Sequence, residues 1–275
     1  MRRPSSLRLP PVSALALLVV LGWAAAALLA GELAPWPPGR IVTRDSLAPL
    51  SAAFPLGTDY LGRDMLSRVL FGARATLGIA LLSTTLACAM GVALGLTAAA
   101  RGGWFDMTVS RVLDAMISVP SLLAALVVVS ALGSSIPVLI GAAAVIYTPG
   151  AYRLARATAM NVNALEFVAV ARARGEGTLY IIACEILPNM LLPVFTDFGL
   201  RFVFVVLLLT GMSFLGLGIQ PPDADWGTLV RENVEGLSFG APAVIMPAIA
   251  IATLTVAVNT LIDTVSGGNR RQDPR

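Results

Sequence analysis

The chain has 275 residues, 57% hydrophobic and only 13% charged, and its mean hydropathy is +0.82; a soluble domain carries about 25% charge, so a water-facing globule is excluded and an integral membrane protein is expected. All 19 basic residues are arginine and there is no histidine, which excludes histidine-ligated haem, His-containing zinc sites and Ser-His catalysis. The net charge of +3 matters less than its distribution, and Cys88 and Cys184 lie in dissimilar surroundings that suggest no disulfide.

Charge-free runs locate the spans, because crossing the hydrocarbon takes roughly 20 apolar residues. A short basic segment, 1–10, precedes a first run that ends at Gly31. Its apolar stretch exceeds the usual length of a signal-peptide core, and Leu28 spoils a small-x-small cleavage site, so 11–31 reads as an anchor. Residues 32–74 follow as an external segment. Within it, 54–77 is turn-rich at Gly57, Asp59, Gly62 and Asp64, then amphipathic through Met65, Leu66, Val69 and Leu70. Two readings stand: a solvated loop with an interfacial helix, or an outer lip built on Asp59, Arg63 and Asp64 that receives a solute or docking protein.

A second span lies between Arg74 and Arg101. The uncharged stretch 115–152 is too long for one span and is broken at Gly133-Ser134-Ser135-Ile136-Pro137, so it reads as two helices and a hairpin. A fifth span runs from Pro188 to about Gly211, interrupted by Asp197 and Arg201. The sixth is 242–261, and a polar tail, 264–275, follows. With both termini inside, twelve arginines fall on the cytoplasmic side (Arg2, Arg3, Arg8, Arg101, Arg111, Arg153, Arg156, Arg172, Arg174, Arg270, Arg271, Arg275) against six outside, which favours that orientation. The expected fold is an all-α membrane protein of six transmembrane helices.

Between spans four and five, Leu165, Val168, Ala169 and Arg172 share a helical face, the alanines make the helix slim, and Gly175 is placed to end it. Such a helix suits insertion into a groove on another protein, or an amphipathic loop at the lipid headgroups. Asp197 and Arg201, at i and i+4, can pair on one helical face. They are either an interfacial pair or a pore-facing one that lines the translocation path. Asp114 has Arg111 three residues before it as an interfacial partner. Trp226, after the Gly- and Pro-rich end of span five, suits an aromatic anchor at the interface.

The phrases GTDYLGRDMLSRVLFGAR (57–74), GGWFDMTVSRVLDAMISVPSLL (102–123), LPN (187–189) and MSFLGLGIQPPDADWG (212–227) resemble the permease subunits of dipeptide, oligopeptide and nickel ABC importers, in particular their second, shorter type. The resemblance implies the type I importer permease fold, with a permease domain over 75–263 and a cytoplasmic coupling loop, the EAA loop, over about 153–188. It places the triplet on Ala169, Val170 and Ala171, the loop glycine on Gly175 and the closing pair on Leu187 and Pro188, with Phe167 on the same loop. Ala169 and Val170 depart from the family's acid and alanine, and Leu209 stands where an acid is expected in span five.

The implied partners are a homologous second permease, two ATP-binding subunits or one fused ATPase, an extracytoplasmic solute-binding protein and membrane lipid, with no nucleic acid. The implied location is the inner membrane of a prokaryote. No cofactor is expected on this chain. ATP and Mg are used by the partner ATPases, since the G-x-x-x-x-G-K-[ST] phosphate loop is impossible without lysine. The expected function is a non-catalytic permease subunit of an ATP-driven importer of peptides or related solutes, with nickel or metal chelates as alternatives. An autonomous secondary transporter or channel is the reading from another class, and no inverted repeat supports it.

Overall fold

The structure is a computed structural model that describes residues 10–270, with side chains to Ser266. Arg2, Arg3, Arg8, Arg271 and Arg275, which enter the orientation count, lie outside the described residues, as do most of segment 1–10 and the end of the tail. Among the described residues every regular element is helical, and extended pairing is limited to two isolated bridges, Ile41 with Arg63 and Thr58 with Asp64.

Helix α1 (Pro11–Leu28) begins on a proline, whose missing N–H falls among the donors a helix start leaves free. A single turn, α2 (Ala30–Leu33), precedes an irregular outer loop. Helix α3 (Met65–Arg101) has 37 residues, about 55 Å at 1.5 Å each. Its first turn is capped by Asp64, whose carboxylate accepts the Ser67 N–H at 2.8 Å. The separate interfacial helix expected after Met65 is therefore the first part of α3. No proline interrupts 65–101, and the polar residues of the first turns are held inside the protein rather than at headgroups.

The third span differs from expectation in being bent. Helix α4 (Gly103–Ile117) meets α5 (Ser121–Leu132) at 88°, around Pro120, which has no N–H and disfavours helical geometry at Val119. Helix α6 (Ile136–Asn163) continues eleven residues past Tyr152 into the region read as loop. Then come α7 (Glu166–Ala173), α8 (Thr178–Tyr180), a π turn (Ile181–Ile186) and α9 (Leu187–Phe214). The π turn sits before Pro188, and widening the helix there eases the ring past the preceding carbonyls while Leu187 N–H bonds back to Ile182 O. Helix α10 (Trp226–Glu232), a 3-10 stretch (Val234–Phe239) and α11 (Pro242–Arg270) complete the order. Five helices are long and apolar enough to cross a bilayer, and the bent pair α4–α5 makes up to six.

The central packing is α3 against α6. A Cβ added at Gly95 would lie 2.8 Å from Arg156 N, and one at Gly91 would lie 2.7 Å from Tyr152 N, so these two glycines, one turn apart, admit the α6 backbone. Helix α1 runs antiparallel to α11: Ser13 Oγ meets Thr264 Oγ1 at 2.6 Å and Trp23 Nε1 donates to Thr253 Oγ1 at 3.0 Å. The ends of α1 and α11 that face the termini thus share one side. Leu96, Ala159, Val168 and Ile186 form a core cluster near that end, and Met65, Met212, Trp226 and Leu229 belong to the main cluster, which reaches the other.

Candidate functional site

Three regions carry the polar chemistry. The first is the segment between α6 and α9, expected from the sequence to couple to a partner. Helix α7 buries Val168 and Ala171 and leaves Phe167 at 40% and Val170 at 56% exposure, with Leu165 and Ala169 also exposed. The buried residues are Val168 and Ala171, because α7 packs back on Ile181 and Ile186, while Leu165, Ala169 and Arg172, read as sharing the face of Val168, are exposed. Gly175 has φ +84°. Its N–H bonds to Arg172 O at 2.9 Å while Glu176 N–H bonds to Ala171 O at 3.2 Å, the paired bonds that close a helix on a left-handed residue. Leu187 is half-buried and Pro188 exposed, a full helical segment away from the triplet.

The second region is the outer cap, where the expected lip residues turn out to be internal. Asp59, Arg63 and Asp64 are all buried, so their side chains cannot form a docking surface; the exposed neighbours are Tyr60 and Leu61. Asp59 Oδ2 accepts Arg63 Nε at 2.5 Å and Arg68 Nη1 at 2.6 Å. Glu232 Oε2 accepts Arg63 Nη2 at 3.1 Å and Arg68 Nη1 at 2.7 Å. Two guanidiniums and two carboxylates balance, which is what permits four charges to be buried together. The quartet ties the outer loop to α3 and α10, and Asn233 adds a bond from Tyr60 N–H at 3.0 Å. Arg68 and Glu232 are not apparent in sequence as members of this site, since Glu232 lies more than 160 residues from its partners.

Trp226, expected as an interfacial anchor, is fully buried. Its Nε1 donates to Val69 O at 3.0 Å and its ring meets Trp23 edge-on at 4.8 Å, because α10 folds back onto α3. Asp225 caps α10 by accepting Thr228 N–H at 2.8 Å and also accepts Ser213 Oγ at 2.5 Å. Burial pushes the Asp225 carboxyl above the ordinary carboxylate range, against the hydrogen bonds that Ser213 and Thr228 donate. Leu209, where an acid was expected, is buried in the apolar core.

The third region lies mid-chain. Arg201 grips Asp197 through Nε and through Nη2, the latter at 2.9 Å, and Nη1 donates to Tyr147 O at 3.2 Å. The expected pair forms, and both side chains are largely buried, at 11% and 14% exposure. Gly150 of α6 seats the guanidinium: a Cβ there would meet Arg201 Nη1 at 2.5 Å. Closer to the coupling region, Arg156 chelates Asp106, and Arg153 Nη2 meets Asp114 at 2.5 Å. Asp114 thus pairs across to α6 rather than with Arg111, since α4 lies alongside α6 and presents its acids there. Both α4–α6 pairs join residues 39 and 50 positions apart, beyond the reach of helical spacing.

Among the described residues no group of three His, Cys, Asp or Glu side chains could hold a metal ion. In each of the three polar clusters built on arginine, the guanidiniums meet carboxylates: Asp59 and Glu232 at the outer cap, Asp197 mid-chain, and Asp106 and Asp114 between α4 and α6.

Comparison with known proteins agrees with this architecture. Residues 91–271, more than half of the chain, match the family described as binding-protein-dependent transport system inner membrane component. The chain is 34% identical over 243 residues to the di/tripeptide transport system permease protein of Pseudomonas aeruginosa, covering 86% of this chain and 80% of that one. It is 33% identical over 253 residues to the dipeptide transport system permease protein of Haemophilus influenzae, covering 90% and 86%, and 32% identical over 213 residues to the glutathione transport system permease protein of Pectobacterium atrosepticum, covering 78% and 71%. In fold it resembles an amino acid ABC transporter crystallised with histidines, with a TM-score of 0.55 at 16% identity, over 75% of this chain and 93% of that one. A bent third span, paired polar regions at opposite ends and this similarity over most of its length lead to one assignment: the chain is a multi-pass membrane protein that belongs to the family of binding-protein-dependent transport system inner membrane components, the permease subunits of ABC transporters.

Proposed function

We propose that the chain is one non-catalytic permease subunit of an ATP-driven peptide importer in a prokaryotic inner membrane. It forms half of the passage beside a homologous second permease, takes peptide from an extracytoplasmic binding protein, and is moved by two ATP-binding subunits, or one fused ATPase, that carry ATP and Mg. Both termini and α7 are cytoplasmic. The observation that carries the reading is α7 itself. It is a short helix closed at Gly175 and packed inward through Val168 and Ala171, which leaves apolar Phe167 and Val170 facing outward at the end opposite the outer cap. An exposed apolar pair held on a rigid base suits docking into a groove of a partner. The quartet Asp59, Arg63, Arg68 and Glu232 braces the opposite end, where the binding protein releases its load, and keeps the outer loop fixed while the passage moves. The names of the relatives support a peptide as solute.

The test is reconstitution of the chain with the second permease, ATPase subunits and binding protein in proteoliposomes. Uptake of labelled dipeptide is expected only with internal ATP and external binding protein. Uptake by the isolated chain driven by an ion gradient would sink the reading.

A further inference from the structure

A cavity of about 620 Å³ opens at the α4–α5 bend, between that bend, α6 and α9. Its wall is mostly apolar, with Met116, Val119, Val128 and Ile146 among the lining residues. The charged side chains in its lining are Arg153 and Arg201, and no carboxylate is among them. Asp114 and Asp197, which pair with those arginines, lie outside the lining. Each pair is neutral overall, and it is the guanidinium end that lies on the apolar wall of the cavity. Arg201 uses three of its five N–H donors on Asp197 and Tyr147 O, and its Nη edge abuts Gly150, itself part of the lining. The non-helical backbone at Val119 and Pro120 also lines the cavity; at membrane depth such a break is tolerated where it is buried in protein or lines a water-filled cavity.

Resting on the peptide-importer reading, we infer that this chamber is a solute site in the passage, in which Arg201 and Arg153 read the free carboxylate of the peptide. A guanidinium fork matches a carboxylate in two parallel hydrogen bonds. Arg153, half exposed with its partner Asp114, receives the carboxylate at the chamber mouth by exchanging one carboxylate for another. Arg201, held by Asp197 against Gly150, offers its remaining donors deeper in. The apolar wall accepts side chains without selecting among them.

The experiment uses the complete transporter in proteoliposomes, supplied with alanyl-alanine or its C-terminal amide at concentrations that fully load the binding protein, so that passage rather than capture is measured. The wild type is expected to move the free acid about tenfold faster than the amide, the discrimination that one charge-assisted contact supplies. The double variant Asp197→Asn with Arg201→Gln keeps the site neutral and is expected to bring the two rates within about twofold of each other. Arg153→Gln, at a half-exposed position, is expected to narrow the ratio to about threefold. If the double variant does not assemble, Arg153→Gln decides alone. A wild-type ratio near one, or a ratio unchanged in every variant that assembles, overturns the inference and leaves the importer reading standing. Uptake of neither probe by the wild type overturns the importer reading, and the inference with it.

Discussion

Under the outer cap Asp59 and Glu232 converge on Arg68 Nη1, while among the described residues its Nε and Nη2 have no acceptor. Glu232→Gln leaves two buried guanidiniums facing one carboxylate, and breaking such a pair costs about 3–5 kcal/mol. The thermal unfolding midpoint of the purified complex is expected to drop accordingly, and a variant as stable as the wild type would show that the quartet does not brace the cap. Asp225 behaves in the opposite sense. Its carboxyl is raised in the folded state above the unfolded value of 3.8, so the folded chain binds a proton that the unfolded chain has lost. Stability therefore falls as pH rises from about 3.8 through the raised folded value, and the full penalty of the buried charge is present above it. Asp225→Asn retains an N-cap acceptor and removes that titration. The wild-type-minus-variant difference in unfolding midpoint is expected to grow more negative with pH across this window; a flat difference would contradict the buried charge.

At the scale of elements, α7 separates two roles that its sequence merges. Val168 and Ala171 hold the helix to the body, whereas Phe167 and Val170 face away from it. Phe167→Ala with Val170→Ala is expected to leave the unfolding midpoint within the small range of surface changes, about 0.5 kcal/mol, while ATPase subunits are lost during co-purification. Ala171→Trp is expected to do the reverse first, loosening α7 from Ile181 and Ile186 by overpacking. Equal ATPase retention in the Phe167 and Val170 variant would count against docking through this face. Helix α7 and its Gly175 ending were legible in sequence, since spacing and a C-terminal glycine are local signals. The face it buries was not, because that depends on where the π turn brings Ile181 and Ile186. The bend at Pro120 was likewise written in the sequence as a proline, but its 88° angle was not, and neither were the pairs Asp106–Arg156 and Asp114–Arg153 that join α4 to α6.

For the whole molecule, the two cysteines give a test of orientation. Cys184 is exposed, near the coupling end, and Cys88 is buried. An impermeant maleimide is expected to label Cys184 in inside-out vesicles and not in right-side-out ones. A cysteine introduced at Phe239, 80% exposed beside the outer cap, is expected to give the opposite pattern in a Cys184→Ser background; matching patterns at both positions would refute the topology. The all-helical membrane fold and the family were legible in the sequence alone, because a bilayer imposes length and apolarity on each span without reference to the others; the count of six rests on reading the bent α4–α5 pair as one span. Asp197 and Arg201 were legible as a pair for the same reason: four residues apart on a helix is a local relation. Only the tertiary structure decided that Asp59, Arg63 and Asp64 are internal, that Trp226 is core rather than anchor, and that the α4–α5 bend encloses a chamber whose lining charges are arginines. Each of these depends on elements far apart in the chain meeting, and a buried charge or an enclosed space has no meaning until its partners are in place.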